Sequence, residues 1–244
     1  MIVVFWDIDG TLLTTGRAGM FAWEDSLREL VRNEFDLTDF RTAGLTDYQI
    51  AQRTLEIVGA DTSPATIERF LRRYEELLPA SLPRRQGRVL DNVREILEHL
   101  RAERPEVRSY LLTGNTRAGA RAKLSYYGLD EFFADGAFAE DLGARSTIAS
   151  RALELARRAG PVDDETIFVV GDTPHDIECA NAIGAKTIAV ATGGYSVDEL
   201  RPHHPWRLFE ILPPPEEFVR LIEMPLARTA AGSGGSRSEQ SRPA

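Results

Sequence analysis

The chain has 244 residues, 43% hydrophobic and 27% charged, with a formal net charge of −9 and a pI near 5.1. This acidic balance excludes the basic face of a nucleic-acid binder and leaves attraction of any anionic substrate to local groups. The single cysteine, Cys179, excludes an intramolecular disulfide, no run reaches the ~20 apolar residues of a membrane span, and no leader-like segment precedes the first strand, so a cytoplasmic chain is expected.

Met1 to Trp6 form an apolar run of the length and Val/Phe/Trp content of a buried parallel strand, and Asp7, Asp9 and Gly10 follow at once. Residues 13–20 are small, polar and glycine-bearing and read as a loop or hinge. Helical spacing then places Phe21, Trp23, Leu27, Leu30 and Val31 on one helix. A second helix starts at Thr46-Asp47 and ends at Gly59, and a third opens with Ser63-Pro64 and is stopped by Pro79 and Pro83. No strand-like alternation occurs between roughly 20 and 82, so this is an all-helical insertion.

From Val89 strands and helices alternate. The helices are expected over 91–101, 116–127, 146–159 and 176–183, and the strands over 107–112, 166–170 and 186–190. Short apolar segments lie at 129–133 and 136–138, and short helices at 197–200 and 215–222. Alternation of this kind means βαβ units and a parallel sheet. After Met224 the Ala, Gly, Ser, Arg and Pro content reads as a disordered tail over 225–244.

Side chains alternate along a strand, so Asp7 and Asp9 are expected on one side of the first strand's end. Neighbouring carboxylates disfavour each other's charge, and a hard divalent cation relieves that cost. Four strand ends carry polar groups: Asp7 with Asp9, Thr113 with Asn115, Asp172, and Thr192 with Gly193. In a parallel sheet these ends share one edge, and the inventory fits phosphoryl transfer. Plainer readings stand beside it. The aspartates can end a strand in a turn; Thr113, Asn115 or Asp176 can cap helices; Cys179 reads as a small buried hydrophobe; His175 reads as a loop residue and His203-His204 as solvated.

Asp7-Ile8-Asp9-Gly10-Thr11-Leu12 resembles the opening motif of the haloacid dehalogenase superfamily. The resemblance implies that Asp7 is a nucleophile and Asp9 a general acid/base, with Gly10 and Thr11 at the phosphate. Thr113 is similar to the second motif, with Gly114 and Asn115 beside the phosphate. Gly171-Asp172-Thr173-Pro174-His175-Asp176 resembles the fourth, so Asp172 and Asp176 are expected with Asp7 and Asp9 around Mg²⁺. For the basic third motif Lys123 is favoured and Arg145 is the runner-up, because no Lys-Pro pair stands at 141–146. The branch most similar is that of the phosphoglycolate phosphatase-like enzymes. It implies an α/β fold: a Rossmann-like, three-layer core over 1–16 and 88–224 with a helical cap over 17–87.

The expected reaction is Mg²⁺-dependent hydrolysis of a small phosphorylated metabolite by a monomer or homodimer, with no nucleic-acid or membrane partner. A phosphomutase of the same superfamily and a non-catalytic phosphometabolite-binding protein are the alternatives. A dehalogenase needs neither Asp9 nor a metal. The cap segment Arg41-Thr42-Ala43-Gly44-Leu45-Thr46-Asp47 is expected to face the substrate, with Arg41 pairing with a carboxylate or second phosphate.

Overall fold

A computed structural model of the protein describes residues 1–31 and 42–232, with side chains described as far as residue 224. Strand β1 (Ile2–Trp6) is wholly buried, and β2 (Leu13–Thr14) follows the acidic turn. The insertion holds α1 (Gly19–Leu30), α2 (Asp47–Ile57) and α3 (Pro64–Ser81). The chain continues with β3 (Arg88–Val89), α4 (Val93–Glu103), β4 (Val107–Leu112), α5 (Arg117–Tyr127), β5 (Gly136–Ala137), α6 (Arg145–Ala159) and β6 (Ile167–Gly171). It ends with α7 (Pro174–Ala182), β7 (Lys186–Val190), α8 (Val197–Leu200), β8 (Arg207–Phe209) and α9 (Pro215–Gly232).

Six strands form one parallel sheet in the order β5-β4-β1-β6-β7-β8. Alternation along β1 sends Ile2, Val4 and Trp6 to one face, under α4, α5 and α9, and Val3 and Phe5 to the other, under α6 and α7. Burial on both faces is why the strand is apolar throughout rather than alternating. Because β4 and β6 flank β1, the chain order reverses there, and the carboxyl ends of β1 and β6 meet at the crevice where such sheets bind ligands.

The insertion has its own core, with Trp23, Leu27, Leu55, Phe70, Tyr74 and Leu78 buried together. Trp23 packs edge-on against Phe70 at 4.8 Å and Tyr74 at 4.9 Å, and its indole N–H donates to Thr54 Oγ1 at 3.1 Å. At its base, β2 and β3 pair antiparallel, Leu13 with Val89 and Thr14 with Arg88.

Several expectations shift. Residues 13 and 14 belong to this small ribbon, which is too short for a periodic signal, and β8 goes unforeseen for the same reason. Pro79 lies inside α3, which runs on to Ser81; a proline this near a helix end removes one hydrogen bond rather than a turn. Helix α9 passes the expected stop at 222 and reaches Gly232, in keeping with the helix preference of an alanine-rich stretch. Residues 233–244 lie outside the described part of the chain. Truncating Phe70, 1% exposed at the centre of the insertion's core, is expected to cost about 3–5 kcal/mol, read as a lower midpoint in urea denaturation of Phe70→Ala.

Candidate active site

β1 ends at Trp6, so Asp7 leaves the strand with its N–H still donating to Val170 O at 3.0 Å. Asp7 is 5% exposed. Asp172 leaves the neighbouring strand β6, and Asp176 lies in the first turn of α7. One oxygen from each of these three buried carboxylates lies within 4.8 Å of the others. Three such oxygens in so small a space are donors that a hard divalent cation can take.

The surrounding chain leaves room for Asp172. Gly10 holds φ +86°, a left-handed turn open to glycine, and a Cβ there or at Gly193 would overlap the Asp172 carboxylate. Thr11, 1% exposed, donates its hydroxyl to Asp172 Oδ1 at 3.2 Å. Thr192 Oγ1 donates to Gly10 O at 2.5 Å, tying the end of β7 to the same turn.

Asp176 is fully engaged. Its Oδ2 accepts from the Thr173 N–H at 3.0 Å and hydroxyl at 2.7 Å, and its Oδ1 from Arg145 Nη2 at 2.6 Å. The expected alternative, Asp176 as helix cap, is corrected in detail. Thr173 is the N-cap, Pro174 opens the helix, and Asp176 is the reciprocal member of a capping box. In the same way α5 is capped by Thr116, whose hydroxyl accepts from Gly119 N at 3.1 Å. Thr113 and Asn115 are thereby released from capping.

Burial pushes the Asp7 carboxyl up to about 7, with Asp176 and Asp9 adding to the rise and Arg145 and the Thr113 hydroxyl opposing it. Burial likewise lifts Asp172, helped by Asp176 and Asp7.

Asp9 lies beyond the end of β1 and has its own partners. Its Oδ2 accepts from Asn115 Nδ2 at 2.9 Å and from the Lys123 ammonium. Lys123, 6% exposed two turns into α5, leans back toward the helix start and also donates to Asn115 Oδ1 at 2.5 Å. Asn115 in turn donates to Thr113 Oγ1 at 2.9 Å. Burial lowers the Lys123 pKa, but Asp9, Tyr74 and Asp47 together carry it upward, so the ammonium stays charged.

Both candidate cations are therefore present, each with its own carboxylate partners. Arg145 lies 3.7 Å from Asp7 Oδ1, bonds Asp176 and donates from Nη1 to Gly44 O of the insertion at 3.3 Å. Lys123 serves Asp9. His175 borders the insertion at Gly44 and pairs with Glu178 at 3.2 Å. Arg41 lies outside the described residues. Sequence reasoning missed Asp47 as a buried core contact: its carboxylate accepts from Thr116 N at 2.8 Å. Its position as first residue of a well-capped helix gives no sign of that partner.

A family model described as haloacid dehalogenase-like hydrolase matches residues 4–181. The chain belongs to that family. "Probable phosphatase IndB" of Dickeya dadantii is 28% identical over 83% of this chain and 86% of its own. The fold is shared with a structure titled as a predicted phosphatase from Clostridium acetobutylicum, at 17% identity and TM-score 0.68 over 93% of this chain and 98% of that one. It is also shared with one titled as a predicted phosphoglycolate phosphatase from Haemophilus somnus, at 18% identity and TM-score 0.68 over 91% and 97%. The helical insertion after β1 is the cap of this hydrolase architecture. Among the described residues no helix is long and apolar enough to cross a membrane.

Raised folded-state values for Asp7 and Asp172 set a sign for stability. Each folded carboxyl holds its proton more tightly than the unfolded one. Their contribution is therefore greatest at low pH and falls as pH rises from the ordinary carboxylate range toward about 7, the Asp7 value. Metal-free protein is expected to lose thermal stability over that window, and Asp7→Asn to lose less. At a fixed concentration equal to a hundred times its Kd at pH 8, a divalent cation such as Mg²⁺ is expected to contribute about 2.7 kcal/mol there, a rise of roughly 5–11 °C, and less at pH 5, where the protonated carboxyls bind it more weakly. Calorimetry at both pH values with and without Mg²⁺ checks this.

Proposed function

We propose that this hydrolase is a phosphatase of small phosphate monoesters, acting through Asp7 with Mg²⁺ held by Asp7, Asp172, the Asp9 main-chain carbonyl and, more remotely, Asp176. The observation that carries the reading is the different surroundings of the two aspartates. Asp7 sits among buried carboxylates beside Arg145, while Asp9 turns to Lys123 and Asn115. One carboxyl group cannot serve both as nucleophile and as proton donor to the departing oxygen; two in different surroundings can.

In the first step an Asp7 oxygen attacks phosphorus and the ester oxygen leaves, taking a proton from Asp9, so that an aspartyl-phosphate forms. In the second, Asp9 takes a proton from water, whose oxygen attacks the same phosphorus, releasing phosphate and restoring Asp7. Mg²⁺, when bound, offsets the charge of the phosphoryl oxygens. Thr113, the Gly114 and Asn115 amides, and Gly10 and Thr11 at the opposite turn frame the phosphate. Arg145 balances charge at the nucleophile, and Lys123 with Asn115 aims Asp9. The phosphatase names of the relative from Dickeya dadantii and of the Clostridium and Haemophilus structures agree with this reading.

A phosphate-release screen over phosphorylated metabolites tests it. Release is expected with Mg²⁺ and not with chelator, and without isomerised product. Asp7→Asn should lower kcat by about 10³-fold or more, and Arg145→Met by roughly 10²-fold, as for loss of one charge-stabilising donor. Turnover that survives Asp7→Asn would rule out the nucleophile, and an isomerised sugar phosphate as the product would favour a mutase.

A further inference from the structure

Asp47 is a carboxylate carried by the cap but buried against the core, 7% exposed. Its own helix does not require it: Thr46 caps α2, accepting from Gln49 N at 3.2 Å while Gln49 Oε1 accepts from Thr46 N at 3.1 Å. Both polar ends of Asp47 point across the junction instead. Its N–H donates to Gly114 O at 2.8 Å, and its Oδ2 accepts from Thr116 N at 2.8 Å. Contact there is close, since a Cβ on Gly114 would lie 2.9 Å from Leu45 O and 3.1 Å from Thr46 Cα.

These two bonds bracket Asn115, the residue that joins Thr113, Lys123 and Asp9. A carboxylate on a helix N-terminus is electrostatically favoured, and its bond to an amide is charge-assisted. Against this stands burial, which pushes the Asp47 carboxyl up to about 6, with Lys123 and the Thr116 bond opposing and Asp9 and Glu75 adding to the rise. The groups facing it are thus Lys123 and Thr116 of α5, Asp9 beyond β1, and Tyr74 and Glu75 of α3.

We propose that Asp47 is a positioning residue: by clamping Gly114 and Thr116 from the cap, it sets Asn115 and, through Asn115 and Lys123, the carboxylate of Asp9. The acid–base half of the site is then fully assembled only when the cap is docked, which ties proton transfer to the exclusion of water. The nucleophile half is built from β1, β6 and α7 and meets the cap at another point, the Gly44 carbonyl bonded by Arg145. The proposal rests on the phosphatase reading for its catalytic consequence but not for its structural one.

The test compares wild type, Asp47→Ala and Asp47→Asn, since an asparagine oxygen still accepts from the Thr116 N–H. Asp47→Ala is expected to lower kcat for phosphate release about 10- to 100-fold while KM stays within about threefold. Asp47→Asn is expected to recover most of that loss. Amide hydrogen exchange at Thr116, which needs no turnover, should quicken at least tenfold in Asp47→Ala and stay near wild type in Asp47→Asn. That pattern supports the clamp even if no ester is hydrolysed. Equal exchange in all three proteins overturns it, as does an Asp47→Ala protein with a lower melting temperature but unchanged kcat below its transition.

Discussion

The crowding of buried carboxylates at the ends of β1 and β6 is the constraint on which the rest of the structure depends. Among the described residues, buried Asp7, Asp172 and Asp176 and the more exposed Asp9 beside them meet two cations, Arg145 and Lys123, so when fully ionised they carry two negative charges more than these side chains balance. Burial first, and that imbalance second, raise the Asp7 and Asp172 carboxyls above the ordinary range. A divalent cation is the simplest complement. Because the whole chain is acidic, a phosphate dianion gains nothing from the global field and must find its attraction within this rim. Both side-chain cations already have carboxylate partners, which makes the site's affinity for an anion depend on what else is bound there.

Topology supplies the convergence. The reversal of strand order beside β1 brings Asp7 and Asp172 to neighbouring strand ends although 165 positions separate them in the chain. Turns do the fine placement: the left-handed Gly10 and the close approach of Gly193 let two loops lie against one carboxylate. Thr173 and Thr116, as N-caps, take over the local work of starting helices. Asp176, Thr113 and Asn115 then hold their side chains toward the crevice.

Much of this was legible in the sequence. The apolar run before Asp7 needs two covered faces, and the alternation after Val89 requires crossovers, so the parallel sheet and the helical insertion follow from periodicity. Strands β4 and β7 match their expected bounds. What periodicity cannot see is two-residue pairing, as in β2 and β3, or a side chain that reaches across a domain junction. The choice between Lys123 and Arg145 was open because both readings looked for one cation near one aspartate. The structure sets one cation beside each aspartate. A period of two applies only while the strand lasts, and β1 ends before Asp7 and Asp9, so the placement of their side chains rests on the turn that follows rather than on the strand's alternation.

Arg145 links the two parts of the molecule. Its guanidinium spans Asp176, Asp7 and the Gly44 carbonyl of the cap. The planar fork of an arginine can hold all three at once, where a lysine would act as a single point charge. Withdrawing the cap removes the carbonyl partner and admits water to a pair of ions otherwise screened from it. The attraction between Arg145 and Asp7 then weakens as the effective dielectric rises. The electrostatic environment of Asp7 is consequently not a property of the core alone. It depends also on the Gly44 carbonyl that the cap sets against Arg145.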